Sequence, residues 1–149
     1  MLKIGDLLGG KYRILSVVGR GGMSTVYLAR NERANKNWAV KEVRKSGVNQ
    51  DQVVEHSLLT EVEIMKHLNN PHLPSIIDVI DIDDTFVIVM DFVEGNSLEK
   101  VLEHGSVSEI QVIDLAKQLC DVLLYLHSCN PPIIYRDMKP SNVVLRPDG

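Results

Sequence analysis

The first half of the chain carries short apolar runs rich in β-branched and aromatic residues, the pattern of strands. Three such runs come first: "KYRILSVV" (11–18), "STVYLARN" (24–31) and "NWAVKEV" (37–43). Glycines separate the first two and "ERANK" separates the second and third, so an antiparallel meander is expected. The pattern then shifts to helical spacing over 51–68, where Val54, Leu58, Met65 and Leu68 recur on one stripe. That helix should stop at "NNPH", since Asn and Pro both discourage continuation. "SIIDVIDI" (75–82) and "TFVIVMDF" (85–92) flank Asp83 and Asp84 and read as a hairpin. After "VEGNS" (93–97) the character changes. "SLEKVLEHG" predicts a short helix ending at Gly105. The stretch 106–129 predicts a long one, opened by serines suited to N-capping, with Glu109 following. Val112, Ile113, Leu115, Leu119, Val122, Leu123, Leu124 and Leu126 wrap nearly the whole circumference of that helix. A helix apolar on most faces expects neighbours on several sides. The composition shift near residue 94 makes "VEGN" the expected hinge between a β-rich lobe, 1–93, and an α-rich one, 94–149.

Composition narrows the function classes. At 149 residues the chain is long enough for one sizeable core, and 44% apolar with 24% charged residues excludes a disordered chain. The net charge of −4, the absence of a basic block and an aromatic content of 5% give nucleic-acid binding little support. Cys120 and Cys129 lack CxxC spacing and read as free, buried thiols of a reducing compartment. The five histidines are scattered without metal-ligand spacing. The N-terminus has no signal-peptide core, and no apolar run approaches the roughly 18 residues of a membrane span. A cytoplasmic location is expected, for a free protein or for the cytoplasmic part of a longer, membrane-anchored one.

Three stretches carry candidate chemistry. "GRGGMSTVYLA" (19–29) sets a glycine-rich turn between two strands. Such a turn lets backbone N–H groups approach phosphate oxygens, and equally makes a flexible hairpin; on this stretch alone both readings stand. No Gly-Lys-Ser/Thr follows, and a strand rather than a helix comes next, so it is not a Walker A loop. "AVK" puts Lys41 on the third strand, on the face of Ala39 and Val43. A strand lysine is ordinarily a solvated one, but Glu61 lies in the middle of the apolar stripe of the 51–68 helix, where a carboxylate is costly unless paired. Lys41 is its natural partner, and the pair would hold an ammonium group beneath the glycine turn. Finally, "YRDMKPSN" brings Asp137, Lys139 and Asn142 within six residues. Asp137 could accept a proton from an attacking hydroxyl, Lys139 could offset charge on a transferring phosphoryl group, and Asn142 offers a neutral oxygen to Mg²⁺. An ordinary polar loop with a Pro140–Ser141 turn is the bland alternative.

Taken together, these motifs resemble the eukaryotic-type (Hanks-type) serine/threonine protein kinases, over nearly the whole chain and in the family's order. The wording "GKYRI…GGMSTVYLA" has a bacterial look. The resemblance implies an α+β fold: a kinase-like N-lobe of five antiparallel strands and one helix, then the first helices and catalytic loop of the C-lobe, truncated. It implies that ATP is bound by Gly19, Arg20, Gly21, Gly22, Val26, Ala39, Lys41, Asp91, Val93 and Ser97. In this likeness Lys41 meets the α- and β-phosphates and Glu61 is its helix partner. Met90 falls at the gatekeeper position, Asp91 and Val93 offer backbone groups to adenine, and Ser97 lies near the ribose. Asp137 resembles the catalytic base, Lys139 the γ-phosphate contact, Asn142 a Mg²⁺ ligand and Arg136 the arginine that meets a phosphorylated activation loop. "DMKPSN" is the serine/threonine form, so protein Ser/Thr hydroxyls are the implied acceptors.

The chain departs from the family pattern in three places. Ser24 stands at the third glycine, which keeps the backbone donor. Tyr135 replaces the usual His before Arg-Asp, which implies altered packing rather than lost chemistry. No Asp-Phe-Gly triplet follows Asn142, so the 149 residues alone are expected to show little or no transfer. A non-catalytic nucleotide-binding or interaction module is the alternative class, and a small-molecule kinase of related fold a third, weakened by "KPSN". With the C-lobe's later helices absent, the long helix should expose an apolar patch and drive self-association.

Overall fold

The computed structural model describes residues 1–21, 24–45, 60, 62–82 and 84–147. Two compact units emerge: Met1–Asn69 with Pro74–Phe92, and Asn70–Leu73 with Val93–Gly149.

The first unit is built on a six-stranded antiparallel sheet. Its strands are β1 (Leu7–Leu8), β2 (Tyr12–Arg20), β3 (Ser24–Asn31), β4 (Lys36–Arg44), β5 (Ile76–Ile82) and β6 (Thr85–Asp91), in the order β1-β2-β3-β4-β6-β5. The five expected strands are present, with limits shifted by one or two residues. The sixth, β1, is a two-residue strand pairing Leu7 with Arg13 and Leu8 with Tyr12. β2, β3 and β4 form the expected meander, and Ile82 pairs with Thr85 across the β5–β6 turn. Leu15 and Val18 are extra residues on β2, where the register with β3 shifts. Each bulges toward solvent.

Alternation along the strands divides the sheet into two faces. On β3, Thr25, Tyr27 and Ala29 are buried while Ser24, Val26 and Leu28 are half-buried. On β4 the corresponding sets are Trp38, Val40 and Glu42 against Asn37, Ala39 and Lys41. The core lies on the first of these faces: Leu8, Tyr12, Ile14, Tyr27, Ala29, Trp38, Val40, Val87 and Val89 cluster there, with Leu2, Val17, Ile80 and Ile82 packed against them. Ile14, Val40, Val87 and Val89 are fully buried, each contributing about 1.5–3 kcal/mol of apolar transfer. β6, between β4 and β5, is buried from Phe86 to Val89, so both of its faces are covered. Most of the expected 51–68 helix lies outside the described residues. Residues 62–66 are helical, and the chain leaves the helix before "NNPH".

In the second unit Ser97 caps a short helix, Leu98–Glu103, by accepting from the Lys100 N–H. Gly105, at φ +153°, follows its end. The long helix is Glu109–Ser128. Ser108 rather than Ser106 caps it, in a capping box whose reciprocal partner is Gln111, because that residue and not Glu109 stands three positions on. Val122 and Leu126 are buried, while Ile110 and Leu124 stay more than 70% exposed. Cys120 and Cys129, expected to be buried, are exposed and half-buried, since the helix is covered only on its Val122–Leu126 side. Two short strands, β7 (Asn96–Ser97) and β8 (Val144–Leu145), pair antiparallel. Among the described residues no helix is long and apolar enough to cross a membrane.

Candidate functional site

In the first unit Gly19, Val26, Ala39, Lys41 and Met90 fall on one face of the sheet, in two rows, while Arg20 and Asp91 pair with Thr25 and Trp38 of the other. Strand register sets Gly19 opposite Val26, Val26 opposite Lys41, and Lys41 opposite Ile88. Paired residues of adjacent strands share a face, so Gly19 and Lys41 stand two strands apart, about 10 Å. The next row on that face is Leu28, Ala39 and Met90. Lys41 is half-buried, and among the described residues it has no ion-pair partner. Glu61, its expected partner, lies outside the described residues, as does Gly22.

The turn between β2 and β3 is closed by the Gly21 N–H donating to the Ser24 carbonyl at 2.8 Å. Among the described residues a methyl group at Gly19 would meet nothing within 4 Å, and one at Gly21 only ordinary contacts. Neither glycine has a left-handed φ. The chain's own packing and backbone therefore do not demand glycine at either position. Bare backbone beside open space suits the close approach of a ligand. Arg20 pairs with Thr25 at the end of β2 and is exposed.

Asp91 ends β6. Its N–H already donates to the Ser75 carbonyl at 3.0 Å, so its carbonyl is the backbone group it can offer to a base. Its carboxylate is held by Lys36 at 3.3 Å and by the Ser75 N–H at 3.1 Å. In the second unit Val93 is exposed. The Ser97 hydroxyl serves first as the helix cap, which leaves its proton free to donate to a ribose oxygen.

The second unit brings three further candidates into direct contact. The Lys139 ammonium lies 2.9 Å from Asp137 Oδ2. The Asn142 amide nitrogen donates to the same oxygen at 3.0 Å and to the Asp137 carbonyl at 2.9 Å. Lys139, then Asn142, hold the Asp137 carboxyl below its ordinary value by these hydrogen bonds. The local fold makes this possible: Pro140–Asn142 form one 3₁₀ turn, closed by the Asn142 N–H on the Lys139 carbonyl, which folds residue 142 back toward 137. All three side chains are exposed. With its nitrogen committed to Asp137, Asn142 keeps its amide oxygen for a cation. Arg136 and Tyr135 are exposed beside them. Among the described residues no cluster of three His, Cys, Asp or Glu side chains makes a metal site.

Sequence reasoning passed over two features. Glu42, 3% exposed, lies on the core face of β4, directly behind Lys41, and accepts from Tyr27 Oη at 2.9 Å and from the Leu2 N–H at 3.0 Å. Its signal was present in the strand period, which sets it with Trp38 and Val40. The other is Gly95, at φ +151°, whose neighbour in space is fifty residues further along the chain.

These features define a class: an α+β protein with a lysine row on an antiparallel sheet and an Asp-Lys-Asn loop, groups suited to phosphate chemistry. The chain matches the protein kinase domain over residues 12–149. It is 35% identical to myosin light chain kinase A of Dictyostelium discoideum, over 91% of this chain and 45% of that protein. It is 31% identical to serine/threonine-protein kinase PrkC of Bacillus subtilis, over 95% and 22%. The crystal structure of Rad53 1-466 in complex with AMP-PNP superposes with a TM-score of 0.79 at 27% identity, covering 93% of this chain and 35% of that one. The chain belongs to the protein kinase family. It spans less than half the length of these relatives.

Proposed function

We propose that the chain is the nucleotide-binding and catalytic-loop portion of an ATP-dependent serine/threonine protein kinase, transferring the γ-phosphate to protein Ser or Thr hydroxyls. The observation that carries this reading is the mutual contact of Asp137, Lys139 and Asn142 in one exposed loop. An ordinary polar loop has no need to hold a carboxylate, an ammonium and an amide on one oxygen. The serine/threonine-kinase relatives and the "KPSN" wording favour a protein hydroxyl as acceptor.

The first unit supplies the nucleotide contacts. Gly19, Arg20 and Gly21 set the close approach of phosphate to the turn, Val26 and Ala39 offer an apolar surface, Lys41 a charge for the α- and β-phosphates, and the Asp91 carbonyl an acceptor for adenine. The second unit supplies Val93 and Ser97 and the transfer loop. The substrate hydroxyl oxygen attacks the γ-phosphorus, the bond to the β–γ bridging oxygen breaks, and ADP leaves. Asp137, held as a carboxylate by its two donors, is a weak base. Its work is to orient the hydroxyl and receive the proton late, when the oxygen has become acidic. Lys139 then exchanges Asp137 for the transferring phosphoryl group.

The donor set fits Mg²⁺ in part: the Asn142 amide oxygen is a suitable hard ligand, while one such oxygen is far from a full shell. When bound, the ion would offset phosphate charge. The chain contains no Asp-Phe-Gly triplet, so residues 1–149 alone are expected to transfer little phosphate to a generic protein substrate. Thermal-shift titration with ATP tests the reading. ATP with Mg²⁺ should raise the melting temperature, and Lys41→Met should weaken binding by about 10- to 100-fold, the loss of one charge-assisted contact. No shift with ATP would overturn the proposal, and binding indifferent to Mg²⁺ would favour a non-catalytic nucleotide module.

A further inference from the structure

The loop holding Asp137, Lys139 and Asn142 runs without a break into β8, and β8 is seated on the segment that opens the second unit. Asn96 pairs with Leu145 and Ser97 with Val144. The Leu98 N–H donates to the Val143 carbonyl at 2.8 Å, one residue beyond Asn142. Gly95 immediately precedes this ribbon, and β8 passes close against it. A Cβ at residue 95 would stand 2.1 Å from the Leu145 carbonyl oxygen, 2.8 Å from its carbon and 3.0 Å from Val144 Cγ1. Two of these three atoms are backbone, so no rotamer change relieves them.

We propose that Gly95 is a positioning residue for the transfer loop: its lack of a side chain lets β8 seat where Asn142 reaches Asp137. The inference rests on the kinase reading for its functional meaning, but its geometry does not. A methyl group at 95 would push the Leu145 oxygen away by about 0.9 Å to reach the 3.0 Å that real contacts respect. Leu145 is three residues from Asn142, whose two bonds to Asp137 are 2.9 and 3.0 Å long. A displacement of that size, passed along three residues, takes both bonds beyond hydrogen-bonding length. Misplacing catalytic groups by about 1 Å costs on the order of 10²-fold in rate.

The molecule contains its own control. Gly105 flanks the other end of the same short helix at φ +153°, against +151° for Gly95, and a Cβ there would meet nothing within 4 Å. Alanine is strained at either site by the positive φ, and only at 95 does it also collide with β8.

The test compares Gly95→Ala and Gly105→Ala in the 149-residue chain by ¹H–¹⁵N spectra, following the Asn142 side-chain amide, assigned by its loss in Asn142→Ala. In the parent and in Gly105→Ala that resonance should keep its hydrogen-bonded position. In Gly95→Ala it should move to that of a free side-chain amide. Should Gly95→Ala fail to fold, Leu98→Pro makes the same test more gently. Proline is tolerated at the first helical residue, Ser97 at φ −61°, ψ 148° already has the conformation that precedes proline, and the donor to Val143 is removed. Leu98→Pro is expected to shift the Asn142 amide in the same direction. An Asn142 amide unmoved by Gly95→Ala or by Leu98→Pro, or moved equally by Gly105→Ala, overturns the inference. The spectra require no nucleotide, so that failure would leave the kinase reading intact. A parent chain that binds no ATP, with the amide shift still present in Gly95→Ala, would sink only the kinase reading.

Discussion

Glu42→Ala is expected to destabilise the sheet that carries Lys41, and the size of the effect can be worked from its contacts. The Glu42 carboxylate is 3% exposed and accepts from Tyr27 Oη at 2.9 Å and from the Leu2 N–H at 3.0 Å. The Met1 ammonium lies 3.3 Å away but is half-exposed, so its contribution is at most about 1 kcal/mol. Hydrogen bonds to a charged group contribute about 1.5–3 kcal/mol each. Two such bonds would set an upper bound near 6 kcal/mol, but the partners are not left stranded. Tyr27 Oη can still donate to the Leu2 carbonyl at 3.2 Å, and the Leu2 N–H is only part-buried. The net cost should therefore be about 2–4 kcal/mol. For a chain of this size that lowers the melting temperature by roughly 5–12 °C.

Glu42→Gln separates the hydrogen bonds from the volume. The glutamine oxygen can accept from Leu2, its NH₂ can donate to the Tyr27 oxygen, and the Tyr27 proton can turn to the Leu2 carbonyl. Every group keeps a partner, so the expected cost is about 1 kcal/mol. Thermal unfolding followed by the fluorescence of Trp38, the only tryptophan and itself in the core, reads both variants. Leu2→Pro, which deletes the N–H, should cost stability in the parent and little in the Glu42→Ala background. An alanine variant melting within about 1 °C of the parent, or a glutamine variant as unstable as the alanine one, would refute the reasoning.

Three further outcomes follow from the same geometry. Asn142→Ala should remove the Mg²⁺-dependent part of ATP binding while leaving metal-free binding near that of the parent, measured by calorimetry with and without the ion; an unchanged Mg²⁺ dependence would remove Asn142 from the metal. Burial first, and Glu42 second, raise the Tyr27 hydroxyl above its ordinary value of 10.0. A raised folded value gives stability that is full below pH 10 and lost as pH climbs through the folded value. Tyr27→Phe should flatten that alkaline limb in part, since Tyr12 is raised too, by burial and by Asp78; unfolding curves between pH 9 and 11 that match the parent would contradict this. Ile110 and Leu124 are more than 70% exposed on the long helix, so the chain should associate with rising micromolar concentration and Ile110→Glu with Leu124→Glu should suppress it; light scattering showing a monodisperse parent would count against the expectation.

Much of this architecture was legible because its signals are local. Strand composition gave the five long strands to within two residues, and a serine followed by an apolar helical run gave the long helix. β1 escaped because two leucines carry no period. The neighbourhood of β4 and β6 was not readable, since hairpin logic pairs consecutive strands while these two are separated by residues 45–75 and β5. Asp137, Lys139 and Asn142 were nominated from one octapeptide, and a single 3₁₀ turn is what draws them together. The pairing of Lys41 with Glu61 falls outside the described residues. Glu42 was open to the same period-of-two argument that set Lys41 with Ala39, had that argument been carried to the other face. Gly95 was not open to any local argument. Its constraint is a carbonyl fifty residues away, and a glycine in "VEGNS" reads as flexible until that carbonyl is in view.

The two passed-over residues share a logic with the residues they serve. The direction of Lys41 depends on β4, and β4 is fixed on the opposite face by a buried carboxylate and the core beside it. The Asp137 cluster is fully exposed, where polar contacts are individually weak, so its order cannot come from those contacts alone. It comes from the backbone that follows Asp137: the 3₁₀ turn and, directly after it, the ribbon seated against Gly95. In each unit, then, the group suited to phosphate is exposed or half-buried, and the residue that fixes it has no phosphate chemistry of its own. Substitutions at Glu42 and Gly95 should accordingly disturb nucleotide handling without touching nucleotide. They should also differ in kind: Glu42 through the melting temperature of the sheet, Gly95 through the geometry of the loop, with a stability cost beyond that of Gly105→Ala set by the collision with β8.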